Sequence, residues 1–127
     1  MRRNLLFLVG LALPSTGCLA AAAAGAAGGI YLTSRGAESV VQGSVEDVAS
    51  RAESVMGELD IVKQGESTEA QGDKQVLKGT KGELDVVIDI SRESPSTAKV
   101  EVTARENVAE WDKEFAKEVL SRIVQKE

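Results

Sequence analysis

Apolar and polar residues alternate strictly on both sides of a Ser94-Pro95-Ser96 turn. Before the turn every second residue is apolar (Leu84, Val86, Ile88 and Ile90), and after it the same is true of Ala98, Val100, Val102 and Ala104. Successive side chains of a β-strand point to opposite faces, so each segment predicts a strand with one buried face. Ser and Pro are typical turn residues, and the two strands are expected to be antiparallel.

Two other segments have the 3.6-residue period of a helix. The first follows Ser44, a good N-cap residue that Asp47 supports in a capping-box-like arrangement, and its apolar stripe is Val45, Val48, Ala49, Ala52, Val55, Met56 and Leu59. The second is expected to begin at Asn107, with Glu110 completing its box. Its predicted buried stripe is Trp111, Phe115, Val119, Leu120 and Ile123. On this stripe Trp111 is interpreted as a core residue rather than as a ring that stacks on a ligand.

The remaining segments complete an alternating order of elements. Gly36 to Gly43 predicts a short strand and Gln75 to Lys78 another, followed by a hairpin turn at 79–82. Residues 59–62 fit either a short strand or the end of the first helix, and residues 63–73 fit either a loop or a weak edge strand. We therefore expect an α+β fold of the order β-α-β-β-β-α. It is a two-layer sandwich in which both helices cover one face of an antiparallel sheet of about four strands.

The first eighteen residues, MRRNLLFLVGLALPSTGC, have the pattern of a bacterial lipoprotein signal. Two arginines precede the apolar run Leu5 to Leu13, and small residues precede the chain's one cysteine. This predicts a signal peptide over residues 1–17, cleavage between Gly17 and Cys18, and a diacylglycerol on the Cys18 thiol. The expected location is the periplasmic side of the cell envelope, with the membrane as a partner through the lipid anchor.

An Ala/Gly-rich tract follows the predicted lipidation site. We assign residues 18–35 to a tether and residues 36–127 to the folded domain. Gly25 and Gly29 are four apart, so on a helix they would share a face and allow another helix to approach closely. A third interpretation joins the tract to the signal as one helix long enough to span a bilayer. Leu19, which is not acidic, favours the outer membrane if the host has two membranes.

Composition excludes several classes of function. The net charge is −5, or −7 once Arg2 and Arg3 are removed, and acidic proteins repel nucleic acids. With no histidine and one cysteine, the chain has no Ser-His-Asp triad, His-ligated metal or intrachain disulfide. Asp85 and Asp89 share one face of a predicted strand, with Glu101 facing them. We interpret these three carboxylates as a solvated surface rather than as a cation site, since calcium loops need a glycine-rich turn.

These observations predict a non-catalytic protein without cofactor or metal that binds or scaffolds another envelope protein. The alternative is a small-ligand-binding accessory lipoprotein of an envelope transport system. It would need a cavity between sheet and helices, where four small residues are expected to point inward: Ala49, Ala52, Ala98 and Ala104.

The order of motifs resembles a known family. Four segments carry the resemblance: the lipobox (the small residues and the cysteine at the end of the signal), GAAGGIYL, GAESVVQGS and the closing EWDKEFAKEVLSRI. In the order of these four segments the chain resembles a family of small bacterial lipoproteins of uncharacterised function. The resemblance covers essentially the mature chain. It implies an envelope location and a βαβββα domain after an Ala/Gly-rich start, and it carries no catalytic residues.

Overall fold

The computed structural model describes residues 29–107 and 109–126. Six strands, two α-helices and a short 3₁₀ turn follow one another along the chain. They are β1 (Tyr31–Leu32), β2 (Gly36–Gln42), α1 (Val45–Glu58), β3 (Val62–Glu69), the 3₁₀ turn (Ala70–Gly72), β4 (Lys74–Lys81), β5 (Leu84–Ser94), β6 (Thr97–Arg105) and α2 (Lys113–Gln125).

The strands form one antiparallel sheet in the order β1-β2-β6-β5-β4-β3. Strands β3 to β6 follow one another as hairpins, whereas β2 pairs with the last strand, β6. This long-range pair brings the beginning and the end of the domain together at the middle of the sheet. The α+β class is therefore confirmed, with six strands where the sequence predicted about four.

Both helices pack on the same face of the sheet. The apolar stripes of α1 and α2 form a single buried cluster with the inward residues of four strands, β2, β4, β5 and β6. Helix α1 lies mainly over β4 and β5, whereas α2 lies over β2 and β6. Ser44 caps α1 as expected, because its Oγ accepts a hydrogen bond from the Asp47 amide at 3.1 Å.

The strand count differs because two edge strands carry no alternating apolar pattern. Strand β3 covers most of the segment that was open between a loop and a weak edge, and apart from Gly65 all its residues are exposed. Strand β3 is therefore defined by its backbone hydrogen bonds to β4 and not by the burial of its side chains. Strand β1 has two residues and pairs with β2, so the sheet extends into the segment assigned to the tether.

Two local predictions near the chain reversals were wrong. The turn between β4 and β5 lies at Gly82 and Glu83, because residues 79–81 still pair with β5. Helix α2 begins at Lys113, and its cap is Asp112, whose Oδ1 accepts from the Phe115 amide at 3.0 Å. Asn107 makes the predicted contacts with Glu110, but they close a turn before the helix.

The residues predicted for signal processing, and one of the two predicted for helix association, lie outside the described part of the chain. Gly17, Cys18 and Gly25 are among residues that the structure does not describe, whereas Gly29 is described and immediately precedes Ile30 and β1. Within residues 29–107 and 109–126, neither helix has the length and apolar character needed to cross a bilayer.

Candidate functional site on the outer face of the sheet

One face of the sheet is left uncovered by the helices. We call it the outer face. Its residues alternate with the core residues along β2, β5 and β6, as the sequence predicted for β5 and β6. In β6, Ala98, Val100, Val102 and Ala104 are fully buried on the helix side. The outer-face residues of the same strand are Thr97, Lys99, Glu101, Thr103 and Arg105.

Three carboxylates lie side by side across the middle of the outer face. Glu38 on β2 is directly opposite Glu101 on β6, which is directly opposite Asp89 on β5. We call these three residues the acid row. Like charges in directly opposed positions destabilise a sheet, so this row needs compensation by neighbouring cations.

Two lysines from the next row supply part of that compensation. Lys99 Nζ lies 3.8 Å from a carboxylate oxygen of Glu38, and Lys74 Nζ lies 3.4 Å from one of Asp89. Among the described residues, Glu101 in the centre has no cation within 4.0 Å. The outer face therefore presents adjacent rows of opposite charge, with an acidic centre.

The structure brings together two of the three carboxylates that the sequence singled out. Asp89 and Glu101 are cross-strand partners, whereas Asp85 lies opposite Arg105. Glu38 was missed, because only the long-range pairing of β2 with β6 places it in the row. No group of three or more acidic or thiol side chains in the described segments has a geometry that could hold a metal ion.

An aromatic and two arginines form a cluster at one end of the outer face. The guanidinium carbons of Arg35 and Arg105 lie 5.5 and 5.4 Å from the centre of the Trp111 ring. Both distances are within the range of cation–π attraction. We call these three residues the Trp111 cluster. Trp111 is partly exposed, so its prediction as a core residue was wrong.

Two chain reversals assemble the cluster. The Glu106 amide donates to the Glu110 carbonyl, and the Asp112 amide donates to the Ala104 carbonyl, so Trp111 pairs beside Arg105 at the end of β6. This pairing places the Trp111 side chain on the same face as that of Arg105. Arg35 reaches the ring from the β1–β2 turn, where Thr33 Oγ1 accepts from the Arg35 and Gly36 amides at 3.3 and 3.0 Å.

The space between sheet and helices is occupied by side chains. Ala52, Ala98 and Ala104 are fully buried and Ala49 nearly so, which fits the close-packing interpretation of these small residues. The depressions found in the described part of the chain lie on the surface, and the largest of them, of about 530 Å³, runs along α2 between Asp112 and Ser121. One of about 300 Å³ is bounded by the start of α1 and by Asp73, Arg92 and Pro95. Another of about 290 Å³ touches Ala49 from outside, beside Glu46 and Gln75.

A second charged group lies on the opposite side of the sheet, where α1 meets β3. Lys63 Nζ donates to Glu53 at 2.8 Å and also to Glu66. The hydrogen bond to Glu53, followed by that to Glu66, raises the pKa of Lys63, and the bond from Lys63 lowers the pKa of Glu66. All three side chains are exposed, so we interpret this group as a structural contact that links the edge strand β3 to helix α1.

Comparison of the chain with protein-family models, with curated proteins and with solved structures gives no match.

Proposed function

We propose that this chain is a lipid-anchored, non-catalytic module of the cell envelope that binds another envelope protein through the outer face of its sheet. The anchor is the diacylglycerol expected on Cys18, and residues 19–30 connect it to the first strand of the sheet. The expected location in the envelope comes from the lipoprotein signal and from the resemblance to small bacterial lipoproteins.

The open face of the sheet is the observation that carries the binding role. Its six strands are spaced about 4.8 Å apart and are mostly seven to eleven residues long, so the face measures roughly 24 by 25 Å. That area is a little below the roughly 800 Å² that each partner contributes to an ordinary stable interface. The face is therefore large enough for one protein partner of modest affinity.

The charges of the face favour a polar, charged partner over an apolar ligand. The acid row lies beside Lys74 and Lys99, and the apolar residues Val40, Val76 and Val87 are scattered singly between the charges. Alternating charge fixes the register of a complex and excludes partners whose charges do not match. We therefore expect binding that weakens as salt concentration rises.

Site-specific photo-crosslinking tests this proposal. A photoreactive residue at Thr103, in the middle strand of the outer face, is introduced into the full-length chain in the producing bacterium. The same residue at Ser54, exposed on α1, is the matched control on the helix side. We expect one discrete crosslinked envelope protein from position 103 and none from position 54.

Two further arms separate the parts of the proposal. Combining the Thr103 probe with Glu101→Lys reverses the charge at the centre of the acid row, and the crosslink should weaken. Combining the probe with Cys18→Ala should remove the crosslink, because the chain no longer reaches its partner's membrane. The same crosslinked species from positions 103 and 54, or none from position 103, would contradict binding through the outer face.

A further inference from the structure

The one tryptophan of the chain is partly exposed at a corner of the sheet, and the guanidinium groups of two exposed arginines lie over its ring. Neither Arg35 nor Arg105 has a described carboxylate oxygen within 4.0 Å. Arg105 is the cross-strand partner of Asp85, yet it lies over Trp111 and forms no ion pair with Asp85. The corner thus combines a polar aromatic ring with two accessible guanidinium groups.

Each of the other described arginines has a hydrogen-bond or ion-pair partner in the protein. Arg92 and Arg122 both meet carboxylates, at 2.9 Å for Asp73 and 3.6 Å for Glu118. Arg51 donates to the Gln42 carbonyl at 2.7 Å. Among the arginines in the described ranges, only the two of the Trp111 cluster have a guanidinium group without any hydrogen bond or ion pair to protein. A guanidinium fork matches the geometry of a phosphate group, which it can bind with two parallel hydrogen bonds.

Exposed apolar side chains lie in the same hairpin. Tyr31 and Leu32 of β1 are 67 % and 53 % exposed, and both are large. Tyr31 is the partner of Glu38, which places its side chain on the outer face in the same hairpin as Arg35. Tyr and Trp have an apolar body and a polar tip, the combination enriched at membrane–water interfaces.

The position of this hairpin in the chain indicates which surface it meets. Thirteen residue steps separate Cys18 from Tyr31, and a fully extended chain covers at most about 3.5 Å per residue, or roughly 45 Å. A lipid on Cys18 would therefore hold β1, the first described strand, within roughly 45 Å of the bilayer. Acidic residues near the corner, Asp85, Glu106 and Glu110, oppose a purely electrostatic attraction. Insertion of the aromatic rings is then needed alongside the arginines.

We propose that the Trp111 cluster and Tyr31 form a membrane-contact site that seats on the phospholipid surface holding the anchor. This rests on the proposed lipid anchor and adds an orientation to it. Trp111 and Tyr31 enter the interface between headgroups and acyl chains, and Arg35 and Arg105 bind lipid phosphates. The acid row, nearer the middle of the face, stays in water and remains open to a protein partner.

The fluorescence of Trp111 tests this directly, because no other tryptophan contributes. Full-length lipidated protein is reconstituted into phosphatidylcholine vesicles containing phosphatidylglycerol. Emission is compared between ordinary lipids and lipids brominated near the headgroup end of the acyl chains. We expect a shift of emission to shorter wavelength and a loss of intensity in the brominated vesicles.

Charge variants provide the matched controls. The double variant Arg35→Gln/Arg105→Gln should show less loss in brominated vesicles, whereas Arg122→Gln on α2 should behave as the wild type. Each variant is compared with itself in ordinary lipids, since removing a guanidinium changes tryptophan emission by itself. Circular dichroism confirms that the variants fold.

Each result supports or overturns the contact. Equal emission in brominated and ordinary vesicles, with protein that floats with the vesicles, would overturn the contact and leave the anchor intact. Protection of Trp111 from an aqueous quencher without any effect of bromine would mean that protein rather than lipid shields the ring, and the lipid assignment would be wrong. If the wild-type chain purified from the producing bacterium carries no diacylglycerol and does not float with the vesicles, both the anchor and the contact are overturned.

Discussion

Gly36 allows β2 to approach β6 closely enough to join the two ends of the domain. A Cβ atom at this position would lie 2.0 Å from the Val102 carbonyl oxygen, and that backbone atom cannot move away without breaking the ladder. We expect Gly36→Ala to destabilise the protein by roughly 1–3 kcal/mol, as overpacking does. Urea unfolding of the full chain measures this change.

Gly65→Ala is the matched control for Gly36. It also lies in a strand, but nothing is found within 4 Å of the position that a Cβ would take. Its effect should stay within about 0.5 kcal/mol, as is usual for surface substitutions. Equal destabilisation by the two variants would contradict the close approach at Gly36.

Lys63 gives the edge strand β3 a pH dependence. Its raised pKa means that its contribution is present below the ordinary lysine pKa and is lost as pH rises through the higher folded value. The lowered pKa of Glu66 means that its contribution is present above the ordinary glutamate pKa and is lost as pH falls through the lower folded value. The stabilisation should therefore be complete between these limits, around neutral pH.

The comparison of Lys63→Gln with the wild type measures this effect. The melting temperature should differ most near pH 7, and the two curves should converge at strongly acidic and strongly alkaline pH. The difference is expected to be small, because exposed ion pairs contribute little. A difference that stays constant at every pH would contradict the role of charge.

At the level of elements, substitutions of Asp112 and Asn107 distinguish the cap of α2 that the structure shows from the cap that the sequence predicted. Asp112→Ala removes the acceptor for the Phe115 amide and should cost about 1 kcal/mol. Asn107→Ala breaks only bonds within the exposed turn that precedes α2, so its effect should be smaller. Hydrogen exchange at Phe115 should accelerate in the Asp112 variant alone. Acceleration in the Asn107 variant instead would restore the sequence-based cap.

Elements that bury one face could be predicted from the sequence, because burial leaves a periodic apolar pattern. Elements held only by backbone hydrogen bonds to a neighbouring strand could not. Helix α1 and strands β5 and β6 each bury one face, so their apolar residues recur at the period of the element. Strand β3 is exposed on both faces, and its pairing with β4 leaves no such pattern. Asn107 and Glu110 make real capping-type hydrogen bonds, but the pairing of Trp111 with Arg105 delays the helix until Lys113.

At the scale of the whole molecule, both candidate surfaces depend on contacts between distant parts of the chain. The acid row joins Glu38 to Glu101 and Asp89, and the Trp111 cluster joins the first hairpin to the segment before α2. The uncharged side of β5 and β6 was predictable, because alternation alone defines it. The pairing of β2 with β6 was not predictable, because no local pattern specifies which strand lies beside β6.

The arrangement of helices and sheet in the whole molecule leads to the proposed orientation at the membrane. The helices cover one side of the sheet, and the other side presents the acid row at its middle and the Trp111 cluster at one end. A lipid on Cys18 would keep the Trp111 cluster near the bilayer and leave the middle of the outer face available. The membrane contact and the partner binding thus both depend on the proposed anchor.

The most direct test of the account is therefore the intact mass and membrane partition of the full-length protein, compared with Cys18→Ala. We predict a wild-type species that begins at Cys18, carries added diacylglycerol and partitions with membranes. Cys18→Ala should lack this species. An uncleaved 127-residue product that stays with the membrane in both versions would contradict the lipid anchor. The segment before β1, with Gly25 and Gly29, would then be the membrane-binding part of the chain.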